Sequence, residues 1–427
     1  MDTGFGIRVR HFQVLRAWMG AGILGGALLA GCGGGGDANV ASADAQSSAV
    51  ADAGTAQAQA VVLTDNQARL GLSLFTDTTL SEPNGTSCGA CHSPNLGFGG
   101  NHGSRIGVAL GSQPGALGLR NSQTNAYVAD IPALAFVTQG GETELRGGHF
   151  WDGRADTLAQ QALGPFLNPL EMNNPSKQAV VNKVAAARYA PLFRQVFGNG
   201  IFSDTDAAYT AIGVAIAAFE RAALQPFNSK YDAMVRGQVR FTAAEARGMA
   251  LFMDPSRANC AGCHVMNPTS GNPKDSPFSD FTYYATGIPR NAAIPRNADP
   301  AFFDLGVCGP ERTPPSPPAG ISVESLCGKF RMPTLRNVAE RPAYMHNGFF
   351  NNLADVVRFY STRNTNPQRW YGPSGVPNDL PEAYRGNIEH DKAPFNRSAT
   401  AGPLLNEGEI ADMVAFLRTL SDGFVAP

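Results

Sequence analysis

Two short strings in the sequence have the residue types and spacing to hold a cofactor covalently. They read CGACH, ending at His92, and CAGCH, ending at His264. Two cysteines at this spacing can form thioethers to the vinyl groups of one porphyrin, while the adjacent histidine reaches its iron. We therefore predict two covalent c-type haems. The residues predicted to hold them are Cys88, Cys91 and His92, and Cys260, Cys263 and His264.

Two other chemistries use C-x-x-C pairs. Four cysteines from two such pairs can bind one zinc ion, and a single pair can form a redox-active disulfide. The histidine that follows the second cysteine in both strings favours haem attachment over either alternative.

The amino terminus indicates export. A basic stretch is followed by a short apolar run over residues 17–30, which is too short for a transmembrane helix, and then by Cys32. Residues 1–31 resemble a bacterial lipoprotein signal with Cys32 as the lipid anchor; the alternative is an ordinary cleaved signal peptide. Residues 32–62 lack large apolar side chains and are predicted to be a flexible tether. Gly33 after the anchor points, by resemblance, to the periplasmic face of the outer membrane.

The net charge of the chain limits its possible partners. The formal net charge of −2 includes no basic excess, so nucleic acid is not an expected partner.

Cys308 and Cys327 are the cysteines outside the haem strings and the lipoprotein signal. In an oxidising compartment we expect these two to pair, and closing this proline-rich loop would stabilise the fold by about 3 kcal/mol.

An internal repeat precedes the haem strings. Gly71 and Gly248 are each followed, three and four residues later, by Leu-Phe. The pattern predicts an amphipathic helix before each string, with N-caps at Thr64 and Thr242, the latter in a capping box with Glu245. We therefore expect two tandem cytochrome-c-like haem domains, residues 63–238 and residues 239–427.

The rest of the chain indicates a mainly α fold with long loops. Further helices are predicted over residues 177–197, 207–224, 353–360 and 407–420. Gly and Pro are frequent between them, and no segment alternates clearly enough to predict a strand.

Four longer motifs carry a specific resemblance. They are GHFWDGRA at 148–155, QALGPFLNPLEM at 161–172, FRMPTLRN at 330–337 and YMHNG at 344–348. Together they resemble the bacterial di-haem cytochrome c peroxidase and MauG superfamily, in its MauG-like or MbnH-like branch, from about residue 63 onwards. The resemblance implies that Trp151 lies between a reactive haem and an electron-storing haem. It also implies that Glu171 is the distal acid, in a pocket lined by Gln161 and Pro165.

The resemblance further suggests how the irons are ligated. Many relatives cover the first iron with a histidine before an Arg-Asn pair; here residues 106–111, before Arg120 and Asn121, contain none, so an open iron is expected. His102 is the rival ligand. At the second iron Tyr360 occupies the ligand position, with Met332 and Met345 as competitors. A phenolate favours oxidised over ferrous iron, whereas a thioether does the reverse.

A calcium ion between the haems is a further implication of the resemblance. Asn121 would bind it together with the carbonyl groups of Arg341 and Ala343. The sequence departs from the family here, since it reads Arg-Pro-Ala-Tyr where relatives have Ala-Pro-Tyr, and a displaced proline changes the backbone path.

The function implied is MauG-like. Hydrogen peroxide would react at the open haem, and oxidising equivalents shared through Trp151 would oxidise a residue of a periplasmic or surface partner protein. One alternative is a cytochrome c peroxidase that takes electrons from a small cytochrome or copper protein. Another is a non-catalytic electron-transfer cytochrome, which would need both irons six-coordinate.

Overall fold

The computed structural model describes residues 63–426. The predicted signal, the tether and Cys32 lie outside this range. The helices are α1 (Asn66–Phe75), α2 (Cys88–Cys91), α3 (Leu158–Leu167), α4 (Lys177–Ala186), α5 (Ala190–Phe197), α6 (Thr205–Ala223), α7 (Lys230–Val235), α8 (Ala243–Met253), α9 (Leu353–Thr362), α10 (Pro367–Tyr371) and α11 (Glu407–Arg418). The mainly helical fold class is confirmed.

Strands are short and pair in twos. They are β1 (His92–Ser93) with β2 (Gly99–Gly100), β3 (Ala135–Gln139) with β4 (Glu142–Arg146), and β5 (Tyr283–Tyr284) with β6 (Phe330–Arg331), all antiparallel. The β3–β4 hairpin contradicts our expectation of no strands. Its two-residue turn, Gly140-Gly141, has φ values of 63° and 86°, which glycine adopts without steric cost.

One of the two predicted N-cap residues is confirmed and the other is wrong. Thr242 accepts a hydrogen bond from the backbone N–H of Glu245 in a capping box, as predicted. The cap at Thr64 is wrong, because Asp65 caps α1 by accepting from Gln67 N and Ala68 N.

The predicted helix over residues 177–197 is two helices. α4 ends at Ala186, and α5 begins at Ala190 with Pro191 in its first turn. Proline lacks an N–H and restricts the residue before it, so it starts a helix more readily than it continues one. The other predicted helices exist with ends shifted by four residues or fewer.

The repeated glycines have the same role in both halves. α1 packs on α6, where a Cβ on Gly71 would overlap the carbonyl oxygen of Ala215. α8 packs on α11, where a Cβ on Gly248 would overlap the carbonyl oxygen of Asp412. Each glycine therefore lets two helices approach more closely than any side chain would allow.

The two largest apolar clusters follow the two halves of the sequence. One contains buried side chains between Leu63 and Leu224, and the other contains those between Tyr231 and Leu420. The Arg336 guanidinium lies between them, 4.6 Å from the Tyr127 ring centroid and paired with Asp232 at 2.9 Å. The structure assigns Leu63 onwards to one compact unit, so these clusters share a single body. Over residues 63–426, no helix is both long and apolar enough to span a bilayer.

Candidate functional site

Each haem string lines its own cavity. Cys88, Cys91 and His92 line the first, whose empty space measures about 1280 Å³ with its open mouth included. The second, measured in the same way, is about 1570 Å³; the motif residues that line it are Cys260, Cys263 and His264. The cysteine pairs thus belong to different cavities, which argues against a single four-cysteine zinc site.

The four thiols are free rather than disulfide-bonded. Burial raises the pKa of Cys91 and Cys260 to about 12 each, so these sulfurs stay protonated at neutral pH. Paired free thiols, each beside a large and mostly apolar cavity of its own, fit covalent haem attachment.

The two histidines are oriented in the same way. Nδ1 of His92 lies 3.1 Å from the Phe98 carbonyl oxygen, and Nδ1 of His264 lies 2.9 Å from that of Phe278. Burial lowers the pKa of both histidines, which favours neutral rings. With Nδ1–H donating to a carbonyl, each Nε2 keeps its lone pair free for a metal. The donor set therefore fits a haem iron in each cavity.

The predicted acid and its neighbours come together in the first cavity. Gln161 and Pro165 lie one turn apart on α3, and both line this cavity together with Glu171. The Glu171 side chain accepts a hydrogen bond from Asn168 Nδ2 at 3.1 Å. Burial raises the pKa of Glu171 to about 7, so the carboxyl can both release and take up a proton near neutral pH.

The rival ligand His102 does not line the first cavity. Its Nδ1 lies 3.1 Å from the Leu110 carbonyl oxygen. The histidines among the described residues that line this cavity are His92 and His149. Burial lowers the pKa of His149 to about 4, so this ring is neutral. Sequence reasoning did not identify His149, although it lies in the GHFWDGRA motif.

Tyr360 of α9 lines the second cavity together with His264. Its ring stacks on Phe395 with centroids 5.1 Å apart. Among residues 63–426 its hydroxyl has no hydrogen-bond partner, and burial raises the pKa of Tyr360 well above the ordinary value. Tyr360 is half-buried, and a phenol that faces a cavity without a protein partner has the chemistry of a haem ligand. Met332 and Met345 line the same cavity.

Trp151 forms part of the wall of both cavities. Its side chain is buried, and its Nε1 donates to the backbone carbonyl of Asn121 at 2.8 Å. That bond fixes the indole ring between the cavities, where an aromatic bridge would have to lie. The other residues shared by the two linings are Asn121, Ser122, Gln123 and Arg331.

Two of the three predicted calcium ligands approach each other. Asn121 Nδ2 donates to the carbonyl oxygens of Ala343 at 3.0 Å and Met345 at 3.1 Å. Asn121 Oδ1 accepts from Asn101 Nδ2 at 2.9 Å, so the amide would have to turn and lose this bond before its oxygen could join the two carbonyl oxygens as a calcium ligand. The Arg341 guanidinium donates to the carbonyl oxygens of Thr334 and Arg336, while its backbone carbonyl stays a predicted ligand. Within the described range, no three His, Cys, Asp or Glu side chains gather as a metal site would require.

Several charged residues of the first cavity were not identified from the sequence. They are Arg120, Arg154, Glu220, Glu311 and Arg331. Glu311 belongs to the loop joined by the Cys308–Cys327 disulfide, whose Cα atoms are 5.0 Å apart. The FWDGR motif could have indicated Arg154, because it places an arginine two residues after Asp152. In the structure Arg154 Nη1 pairs with Asp152 at 3.0 Å. No local signal indicated Glu311, which is distant in sequence.

Comparisons with known proteins agree with this geometry. A family described as "Di-haem cytochrome c peroxidase" matches residues 65–240. The methylamine utilization protein MauG of Paracoccus denitrificans is 35% identical over 376 residues, covering 87% of this chain and 92% of MauG. The cytochrome c551 peroxidase of Pseudomonas aeruginosa is 27% identical over 300 residues, covering 69% of this chain and 71% of that protein.

Solved structures are also similar. The di-haem peroxidase BthA of Burkholderia thailandensis has a TM-score of 0.77 and 38% identity, covering 83% of this chain and 86% of BthA. A MauG-like protein associated with microbial copper homeostasis has a TM-score of 0.56 and 26% identity, with 84% of this chain and 90% of that chain covered.

Proposed function

We propose a MauG-like function, the oxidation of a partner protein, for this chain, which belongs to the di-haem cytochrome c peroxidase and MauG family and is a peroxide-using oxidoreductase. In this proposal peroxide reacts in the first cavity, and a residue of a partner protein is oxidised through the second. The observation that carries the proposal is the difference between the linings: an acid, Glu171, in the first and a phenol without a protein partner, Tyr360, in the second.

When bound, the haems would supply irons that peroxide can oxidise and that can in turn take electrons from the partner protein. His92 and His264 would each present Nε2 to an iron, held by the carbonyl bonds from Nδ1. Cys88, Cys91 and the second cysteine pair would fix the porphyrins covalently.

Glu171 would move the proton that peroxide cleavage requires. Its carboxylate would take a proton from one peroxide oxygen and return it to the other as the O–O bond breaks. Asn168 Nδ2 holds the carboxyl in place. Gln161 and Pro165 shape the same wall, and Pro165 has no N–H to bond the Gln161 carbonyl within α3.

Tyr360 would close the second iron. The phenolate oxygen of Tyr360 would favour oxidised over reduced iron, which would make a small cytochrome a poor electron donor to this cavity. Trp151, in the wall of both cavities, would couple the two centres.

A cytochrome c peroxidase role is the alternative, and the two methionines that line the second cavity favour it. The two roles differ in how fast a small cytochrome is oxidised. We expect diferric protein given peroxide to oxidise reduced cytochrome c only slowly. Steady oxidation at enzymatic rates would contradict the MauG-like proposal and support the alternative.

We propose one Ca²⁺ per chain, bound through the Asn121 amide oxygen and the carbonyl oxygen of Ala343. The carbonyl oxygen of Arg341 is a further candidate ligand. Metal analysis should find one calcium in the wild type and less in Asn121→Ala. Equal calcium content in both proteins would contradict this site.

Export and lipid anchoring also belong to the proposal, with the protein on the periplasmic face of the outer membrane. A disulfide between Cys308 and Cys327 supports an oxidising compartment. Changing Cys32→Ser should move the protein from the membrane fraction to the soluble fraction. An unchanged distribution would remove the lipid anchor from the account.

A further inference from the structure

The loop closed by the Cys308–Cys327 disulfide reaches the first cavity. Glu311, three residues after Cys308, lines that cavity together with Glu171. The next residue, Arg312, donates from Nη1 to the backbone carbonyl of Asp152 at 2.7 Å. The loop is therefore fixed by the disulfide and by this hydrogen bond near its start, and it holds a second carboxyl group at the cavity of the predicted acid.

Arg154 connects this loop to the motif that precedes α3. Its Nη2 lies 3.8 Å from Glu311 Oε2, and its Nη1 pairs with Asp152 at 3.0 Å. The guanidinium also lies 3.6 Å over the Phe150 ring centroid. These three contacts restrict Arg154 and place its charge beside Glu311.

Glu311 differs from the other unassigned acid of this cavity in its access to solvent. The Glu311 side chain is 26% exposed, whereas Glu220 is 2% exposed. Glu220 Oε1 accepts from Asn125 at 2.7 Å, and its Oε2 is buried without a partner in the described chain. Glu311 can therefore exchange a proton with bulk water while facing the cavity, and Glu220 cannot.

Building on the function proposed above, we infer that Glu311 is the group through which solvent protons reach Glu171. Reduction of one peroxide to two waters consumes two protons and two electrons; the electrons come from the partner protein, and the protons must come from solvent. Once Glu171 has given its proton to the departing oxygen and electrons arrive from the partner, Glu311 takes each of the two further protons from bulk water and passes it, through water in the cavity, to the Glu171 carboxylate. Glu311 thus acts through Glu171 and does not touch peroxide itself.

The charges around Glu311 determine the expected shift. Burial raises the pKa of Glu171, the Arg154 charge lowers it and the Glu311 charge raises it. Removing the Glu311 charge should therefore lower the pKa of Glu171. The other charged or titratable groups around the cavity and the start of the loop are Cys88, Cys91, His92, Arg120, His149, Asp152, Glu220, Arg312 and Arg331.

The test compares three glutamate-to-glutamine variants of the holoenzyme. Glu311→Gln removes the proposed relay, and Glu324→Gln makes the same change elsewhere in the same disulfide-closed loop. Glu171→Gln serves as the reference for the proposed function. Turnover of peroxide with ascorbate as reductant is measured in H₂O and in D₂O across a pH range, and the carboxyl band of Glu171 is titrated by infrared difference spectroscopy.

We expect Glu311→Gln to slow steady turnover of peroxide with added reductant by about tenfold, less than loss of the acid itself. It should enlarge the solvent isotope effect, move the Glu171 titration to lower pH and recover rate when formate is added. Glu324→Gln should behave as wild type.

Two results overturn the inference alone, provided Glu171→Gln is slow. In one, Glu311→Gln matches wild type; in the other, it is slow with no formate rescue and no change in isotope effect or titration, as a purely structural role predicts. A wild-type rate in Glu171→Gln would instead overturn the proposed function.

Discussion

The two cavities are built alike around their histidines and differ in the acidic, basic and phenolic side chains of their linings. In both, a glycine lets the preceding helix pack closely, and a backbone carbonyl accepts from Nδ1 of the histidine. The first cavity then adds Glu171, Arg154 and Glu311, whereas the second adds Tyr360 among mainly apolar side chains. The repeat thus supplies haem attachment, and the segments outside the repeat supply the chemistry that distinguishes the two centres.

The largest effect that should separate the cavities comes from Glu171→Gln. The amide keeps the shape of the side chain but cannot take a proton from peroxide, so we expect the reaction rate to fall by about 10²- to 10⁴-fold. Stopped-flow absorbance after peroxide addition measures the rate. The spectrum of the second haem should stay unchanged, and a rate within a factor of two of wild type would remove Glu171 from the account.

The matching change in the second cavity is Tyr360→Phe. Loss of the phenol oxygen should alter the absorption spectrum of the second haem and leave that of the first unchanged. Tyr284→Phe is the matched control, because Tyr284 lines the same cavity but already donates its hydroxyl to Asp280 at 2.8 Å. An unchanged spectrum in Tyr360→Phe would favour one of the methionines as ligand.

The pH dependence of the peroxide reaction should also report on the first cavity. Because burial raises the pKa of Glu171 to about 7 and the ionised form accepts the proton, the rate should rise with pH up to about 7 and level off above it. The profile is measured with wild-type protein and with Glu171→Gln, in which this rise should be absent. A rise of the same size in the variant would assign the titration to another group.

The smallest expected effects test the similarity of the two halves. Gly71→Ala and Gly248→Ala should each lower the free energy of unfolding by about 1–3 kcal/mol, since each new methyl group meets a backbone carbonyl. Gly386→Ala is the control, because a Cβ there meets nothing within 4 Å. Thermal unfolding measures all three, and a loss in only one of the helix variants would show that the glycines differ in role.

The parts of the fold that the sequence predicted are those governed by local patterns. The Thr242 capping box and the two glycine repeats needed only neighbouring residues. Thr64 failed as a cap because the adjacent Asp65 offers a carboxylate to the same N–H groups. The β3–β4 hairpin was missed although Gly140-Gly141 is a recognised turn signal, since its strands are largely exposed and do not alternate clearly.

The candidate site divides in the same way. Motif order alone indicated Glu171, Gln161 and Trp151, and all three line the first cavity. Glu311 could not be found by any local pattern, because it reaches the cavity only through the disulfide-closed loop. Burial, which raises the pKa of Glu171, is likewise a property of the packed chain and is not encoded in its neighbours along the sequence.

The most direct test of the difference between the two centres is electron paramagnetic resonance of the diferric protein with and without cyanide. The account predicts one high-spin signal that cyanide converts to low spin, and one low-spin signal that cyanide leaves unchanged. Two low-spin signals before cyanide, or a response at both irons, would contradict an open first haem beside a second haem closed by Tyr360.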